Sequence, residues 1–287
     1  MRLVTYLSPA GYRIAARRED GYVDLNQTES DLPSDMISLL ALGAEGLRRA
    51  EAATAAGEPM PADSLHLAAP VPKPDKVFCI GLNYADHAKE SGQPAPPEPV
   101  VFNKFPSVVT APAAPIVLPR LSEKVDYEAE LVVIIGTGGR HIPRERALQH
   151  VAGYTCGHDV SARDWQLHKP GGQWLLGKTF DTFAPLGPEL VTADEIADPG
   201  RLRIQFRLNG ETLQDSTTEQ LIFSVPELIA YVSGVVTLSP GDVILTGTPP
   251  GVGAARKPPV YLKAGDTAEV EIEKLGVLRN PVVAEAS

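Results

Sequence analysis

The sequence predicts an α+β, β-rich chain, with a small N-terminal α+β domain over residues 1–69 and a main domain over residues 70–287. Three observations carry that expectation. The apolar run at residues 131–135 reads as a strand covered on both faces. Asn209-Gly210 joins two strand-like segments with the best short-range hairpin signal available. The remaining strand-like segments outnumber helices and are joined mainly by turns and long loops, which disfavours a doubly wound Rossmann sheet.

In chain order, residues 3–7 and 12–16 read as strands around Ser8-Pro9-Ala10-Gly11, and residues 21–25 as a third. Ser34 or Asp35 caps a helix carrying Ile37, Leu39, Leu40 and Leu47, which the alanine-rich 50–56 stretch continues until Gly57 stops it. Pro70, Pro72 and Pro74 mark a semi-rigid connector. A short apolar strand at 77–81 is followed by a proline cluster at 93–99 and a strand at 100–104. Residues 127–135 read as a strand, 202–208 and 211–214 as the hairpin, and 225–236 as a helix with Pro226 near its start. Residues 243–246 and 268–273 are two further strands, and 275–278 a last turn and strand.

Composition narrows the partners. Among 287 residues, 26 Lys and Arg face 36 Asp and Glu, a formal charge of −10. Nucleic acid and anionic membranes are therefore excluded as expected partners, because both are bound by clustered cations. No stretch approaches the roughly 18 apolar residues of a membrane span. The opening M-R-L-V-T-Y-L-S-P meets proline too early for a signal-peptide core. Only Cys79 and Cys156 occur, in no C-x-x-C pair, so a reducing compartment is expected and the cytoplasm is its simplest reading.

The chemistry concentrates in a few segments. Glu128 and Glu130 share one side of a strand and sit against an apolar run, where two like charges are costly unless a cation lies between them. Two glutamates on the wet side of an edge strand remain the plainer alternative. Asp159 follows Glu130 by enough chain for a return strand and offers a third carboxylate, or caps a helix starting at Ser161. Three carboxylates would select a hard cation, Mg2+ or Mn2+. His87 and Glu90 stand three apart on a helical turn, the spacing for a carboxylate-oriented general base or for a solvated surface pair. Lys178 follows Leu175-Leu176-Gly177 and is either a buried counter-charge or a snorkelling strand-end lysine. The T-G-T-P-P-G-V-G segment at 246–253 lacks the G-K-[ST] ending of a phosphate loop, yet can present backbone N–H groups to an anion.

Taken in order, G-L-N-Y-A-D-H-A-K-E, F-N-K-F-P-S, D-Y-E-A-E-L-V-V-I-I-G, H-D-V-S-A-R-D-W-Q, Q-W-L-L-G-K-T-F-D-T-F, the N-G hairpin, P-G-D-V-I-L-T-G-T-P-P-G-V-G and L-K-A-G-D resemble the fumarylacetoacetate hydrolase (FAH) superfamily over residues 70–284. The wording is most similar to the FAH domain-containing protein 2 branch, associated with oxaloacetate tautomerase activity. The resemblance implies an FAH-type fold (mixed β-sandwich or roll), a homodimer, and Mg2+ or Mn2+ on Glu128, Glu130 and Asp159. It implies that His87 and Glu90 form the water-activating pair on a lid, with Lys178 also catalytic. Gln166, Arg163, Thr248 and Tyr84 are the implied substrate-binding residues. One departure stands out: acylpyruvate-cleaving relatives carry an arginine where this chain has Leu82.

The resulting expectation is a metal-dependent enzyme acting on a small 2-oxo or β-diketo acid, with C–C hydrolysis of the fumarylacetoacetase or acylpyruvase kind as the first reading. Oxaloacetate keto–enol tautomerisation or decarboxylation at the same site is the alternative. A non-catalytic, metal-stabilised binding protein is the alternative of another class.

Overall fold

The computed structural model describes residues 1–90, 92 and 94–286. The proline cluster at 93–99 thus has its first residue, Gln93, outside the described residues. One large mixed sheet forms the frame. Its order runs Pro59–Met60, Gly21–Asp24, Gly11–Arg18, Arg2–Ser8, Ala184–Thr192, Val151–His158, Ala129–Ile135, Val243–Leu245, Val77–Gly81 and Val100–Lys104. A second, five-stranded sheet comprises Glu211–Thr217, Arg203–Leu208, Thr267–Ile272, Gly276–Ala284 and Ile116–Leu118.

The strand Ala129–Ile135 explains the two cores. Side chains alternate across a strand. Leu131, Val133 and Ile135 therefore enter a core shared with Ile204, Phe206, Val270 and Leu278 of the second sheet. Val132 and Ile134 enter the opposite core, against Met36, Leu39, Leu40 and Ala53 of the N-terminal helices. The apolar run is continuous because both faces are covered. Glu130 stands at the head of this strand on the same side as Val132.

The N-terminal strands are hydrogen-bonded into the main sheet: Arg2 pairs with Val191 and Leu3 with Leu190. Leu3 and Ile14 share a core with Val132 and Leu245. The proline-rich connector at 70–74 therefore joins segments that lie in one sheet. The helix expected from Asp35 to Gly57 is two, Met36–Ala41 and Gly43–Ala56. Asp35 caps the first through its side chain, and Gly43 takes φ +61 at the break, a left-handed turn that costs glycine little.

Phe206 is fully buried and stacks on Tyr127 with ring centroids 4.3 Å apart. Truncating a buried aromatic removes transfer energy and leaves a cavity. Phe206→Ala is expected to cost about 3–5 kcal/mol of stability. Chemical denaturation checks this, and a loss under about 1 kcal/mol would mean the two sheets do not rely on this contact.

Candidate active site

Two short ladders bring the carboxylates together. Val125–Asp126 pairs with Ser161–Ala162, and Ala129–Ile135 pairs with Val151–His158. Tyr127 and Glu128 lie between these ladders, so the strand begins at Ala129 rather than at Tyr127. The Asp159 N–H donates to the Glu128 carbonyl at 2.9 Å, which sets Asp159 beside Glu128 across the turn. One carboxylate oxygen from each of Glu128, Glu130 and Asp159 lies within 4.8 Å of the others, and all three residues are buried. Asp159 caps no helix: the nearest starts at Arg163 and has no side-chain cap.

Cations hold two corners of this triad. Lys178 Nζ donates at 2.7 Å to both Glu128 Oε2 and Asp159 Oδ2, and Arg163 Nη2 lies 2.6 Å from Glu128 Oε1. Burial pushes the Glu128 carboxyl up, but Lys178 and Arg163 outweigh it and hold its pKa at about 2. Lys178 is buried too, and Asp159 and Glu128 raise it above the usual lysine value. Glu130 differs. Its partner is the Gly247 N–H at 2.7 Å, and burial together with Asp159 and Glu128 pushes its pKa well up.

The sequence reading missed Lys104. This lysine is fully buried and donates to the carbonyls of Val160, Phe183 and Lys178. Its ammonium also lies 2.7 Å from Asp159 Oδ1. An ammonium has three protons, and three carbonyls take them. Asp159 Oδ1 thus feels the charge but receives no hydrogen bond among the described residues. A buried carboxylate oxygen without a donor, beside a glutamate whose charge is disfavoured, fits a donor set for a hard divalent cation. His158, the neighbour of Asp159, is no part of that set. Burial and Lys104 push its pKa down to about 3, and its ring packs 5.2 Å from Phe206.

A cavity of about 420 Å3 opens beside the triad, lined on its polar side by Glu128, His87, Arg163, Gln166, Lys178 and Thr248. His87 and Glu90 lie on the helical turn Ala85–Glu90, with His87 Nδ1 3.1 Å from Glu90 Oε2. A carboxylate only accepts, so the Nδ1 proton is assigned to this bond and Nε2 is left as the acceptor. Glu90 is fixed in turn by the Gly251 N–H at 3.0 Å. Gln166 Oε1 accepts from Arg163 Nη1 at 2.9 Å, and Thr248 Oγ1 accepts from Gln214 Nε2 at 2.9 Å. Tyr84 stands apart from the other nominated residues. It is completely buried, is not among the cavity-lining residues, and its hydroxyl has no partner among the described residues.

Asp126 ties the two walls. Its carboxylate accepts from Arg163 Nε at 2.8 Å and from the N–H groups of Tyr127, Gly253 and Ala254. Breaking a buried ion pair leaves its partner's charge uncompensated. Asp126→Asn is expected to destabilise the protein by about 3–5 kcal/mol. Chemical denaturation reads this, and an unchanged midpoint would show that Arg163 is held by Glu128 and Gln166 alone.

Fold and site together define a class: a β-rich protein with a buried cluster of three carboxylates that could hold a divalent cation, beside a cavity lined by a carboxylate-tied histidine. The pattern of the fumarylacetoacetate (FAA) hydrolase C-terminal family matches residues 76–283. The chain is 51% identical over 288 residues, 99% of its length and 92% of the relative, to the protein named oxaloacetate tautomerase FAHD2A, mitochondrial, of Bos taurus. Among solved structures, a fumarylacetoacetate hydrolase from psychrophilic Exiguobacterium antarcticum matches with a TM-score of 0.85 at 37% identity, covering 99% of this chain and all of that one. A maleylpyruvate hydrolase from Sphingobium sp. SYK-6, in complex with manganese(II) ion and pyruvate, matches with a TM-score of 0.83 at 33% identity over the whole of both chains. The chain belongs to the fumarylacetoacetate hydrolase family, in the branch of the domain-containing protein 2 relatives.

The comparisons correct one expectation. The cytoplasm was read from two unpaired cysteines, whereas the Bos taurus and Homo sapiens relatives are named mitochondrial. Unpaired thiols report a reducing environment and do not choose between compartments that share it.

Proposed function

We propose that this chain is an oxaloacetate keto–enol tautomerase, with Mg2+ or Mn2+ held by Glu128, Glu130 and Asp159. The observation that carries the reading is His87, which lines the cavity beside the triad and is tied through Nδ1 to Glu90, so that Nε2 is its free ring nitrogen. The names of the relatives favour tautomerisation over the C–C hydrolysis first expected from the motifs. Glu128, Glu130 and Asp159 would hold the cation, which when bound would supply Lewis acidity to a 2-oxo acid.

The remaining work falls to the chain's own groups. Tautomerisation moves one proton between the 2-oxo oxygen and C3. His87 Nε2 takes or returns the proton at C3, and Glu90 stabilises the ring in its charged form. Gln166 and Thr248 orient the acid against the wall, and Lys178 keeps Glu128 ionised and holds Asp159 in place by an ion pair at 2.7 Å.

The test is the rate of enol-oxaloacetate conversion with Mg2+ or Mn2+, compared with chelated enzyme. Cation-dependent acceleration is the expected result. Release of pyruvate and CO2 would instead assign decarboxylation. Cleavage of an acylpyruvate or of fumarylacetoacetate without tautomerase activity would restore the hydrolase reading. No turnover of any of these by cation-loaded protein would favour a non-catalytic, metal-stabilised binding protein.

A further inference from the structure

The cavity has an apolar part that tautomerisation of oxaloacetate does not use. Leu82, Phe102, Leu167, Trp174 and Val252 supply it. Phe102 and Trp174 meet edge to face with centroids 5.3 Å apart. Gly81 leaves room for this wall, because a Cβ there would lie 2.8 Å from Trp174 Cζ3.

The lysine and arginine of the lining are already paired. Among the described cavity-lining residues the basic groups are His87, Arg163 and Lys178. The Nε, Nη1 and Nη2 atoms of Arg163 are engaged by Asp126, Gln166 and Glu128. Lys178 is engaged by Glu128 and Asp159, and its ammonium lies 5.1 Å from the centroid of the Phe102 ring. The second carboxylate of a four-carbon diacid therefore meets apolar side chains or water on this side. An aromatic substituent meets a matching surface, since aromatic pairs favour the edge-to-face and offset arrangements that Phe102 and Trp174 offer. About 420 Å3 falls within the roughly 300–1,000 Å3 of small-molecule sites and leaves space beyond a four-carbon acid.

We propose that the Phe102–Trp174 wall is a subsite for an aryl group on C3, so that the enzyme interconverts the enol and keto forms of 3-aryl-2-oxo acids of the phenylpyruvate type alongside oxaloacetate. The inference rests on the tautomerase reading. The step has the same balance: the C3–H bond breaks as an O–H bond forms at the 2-oxo oxygen, with no oxidant or reductant.

The experiment measures kcat/KM for phenylpyruvate and oxaloacetate tautomerisation in Mg2+ buffer, for the wild type, Trp174→Ala and Leu82→Arg. Wild-type values within about tenfold of each other are expected. Apolar pocket contacts discriminate by roughly 10–200-fold, so Trp174→Ala should lower the phenylpyruvate value by at least about tenfold relative to oxaloacetate. Leu82→Arg adds a cation to the apolar part and should move the ratio toward oxaloacetate. Leu82 already sits at φ +52, so the exchange replaces one non-glycine side chain with another at a strained position. Oxaloacetate turnover with phenylpyruvate about 100-fold slower, and a ratio indifferent to both variants, would overturn the subsite and leave the tautomerase reading standing. If neither acid is turned over, that reading fails and calorimetric binding decides the subsite. Phenylpyruvate binding at least about tenfold tighter than pyruvate, lost in Trp174→Ala, supports it; equal affinities overturn it.

Discussion

Glu130→Ala is expected to abolish divalent-cation binding and, with it, turnover. Glu130 is the triad member with no side-chain cation against it, so its carboxylate has the most to gain from an ion. A ligand that binds only the native state stabilises it by mass action, by about 2.7 kcal/mol at 100 times Kd. Wild-type melting should therefore rise on adding Mg2+ or Mn2+, and Glu130→Ala should show no rise. Without the cation the sign reverses. A glutamate whose pKa is raised on folding stabilises the protein fully below its unfolded value of about 4.3, and this contribution is lost as pH rises toward the folded pKa. Cation-free Glu130→Gln should therefore be at least as stable as cation-free wild type at neutral pH. Retained turnover by a chelated Glu130→Ala sample would remove the metal-dependent reading.

His87→Asn is expected to lower kcat by roughly 10²–10⁴-fold, the usual worth of a general base, while cation affinity stays within a few-fold of wild type. The contrast with Glu130→Ala separates the two roles. Decarboxylation driven by the cation alone should survive His87→Asn, whereas conversion that needs a proton moved at C3 should not. Calorimetry for the cation and enol decay for the rate provide the two readouts. A variant with full tautomerase rate would transfer the proton step to another group.

The legible parts of the site are those in which a local period fixes the geometry. His87 and Glu90 meet because a helical turn aligns residues three apart, and the two-residue spacing of Glu128 and Glu130 pointed to their cluster although the strand itself begins only at Ala129. The apolar run after Glu130 foretold a strand buried on both faces, and two separate cores cover it. Lys104 was illegible because its partners are carbonyls of Val160, Lys178 and Phe183, each more than fifty residues away. Tyr84 shows the opposite failure. It sits within the same G-L-N-Y-A-D-H-A-K-E motif as His87 and Glu90, yet its ring packs into the core and is not among the cavity-lining side chains. The split of the N-terminal helix depended on the turn at Leu42-Gly43, which the continuous apolar and alanine spacing concealed.

The segment from Thr246 to Ala255 meets three carboxylates through main-chain donors. Gly247 donates to Glu130, Gly251 to Glu90, and Gly253 and Ala254 to Asp126. A main-chain donor belongs to every residue type except proline. An alanine exchange leaves each amide in place but is not silent here, because three of the four donors are glycines. A Cβ would lie 2.8 Å from Asn83 Cβ at Gly247, and would overlap the Leu213 carbonyl oxygen at Gly251 and the Val260 carbonyl oxygen at Gly253. The signature in residue identity is those glycines, two of which, Gly247 and Gly251, also take positive φ. Glu130, Glu90 and the Asp126–Arg163 pair are thus joined by main-chain donors that an amide-to-ester exchange removes without adding a side chain.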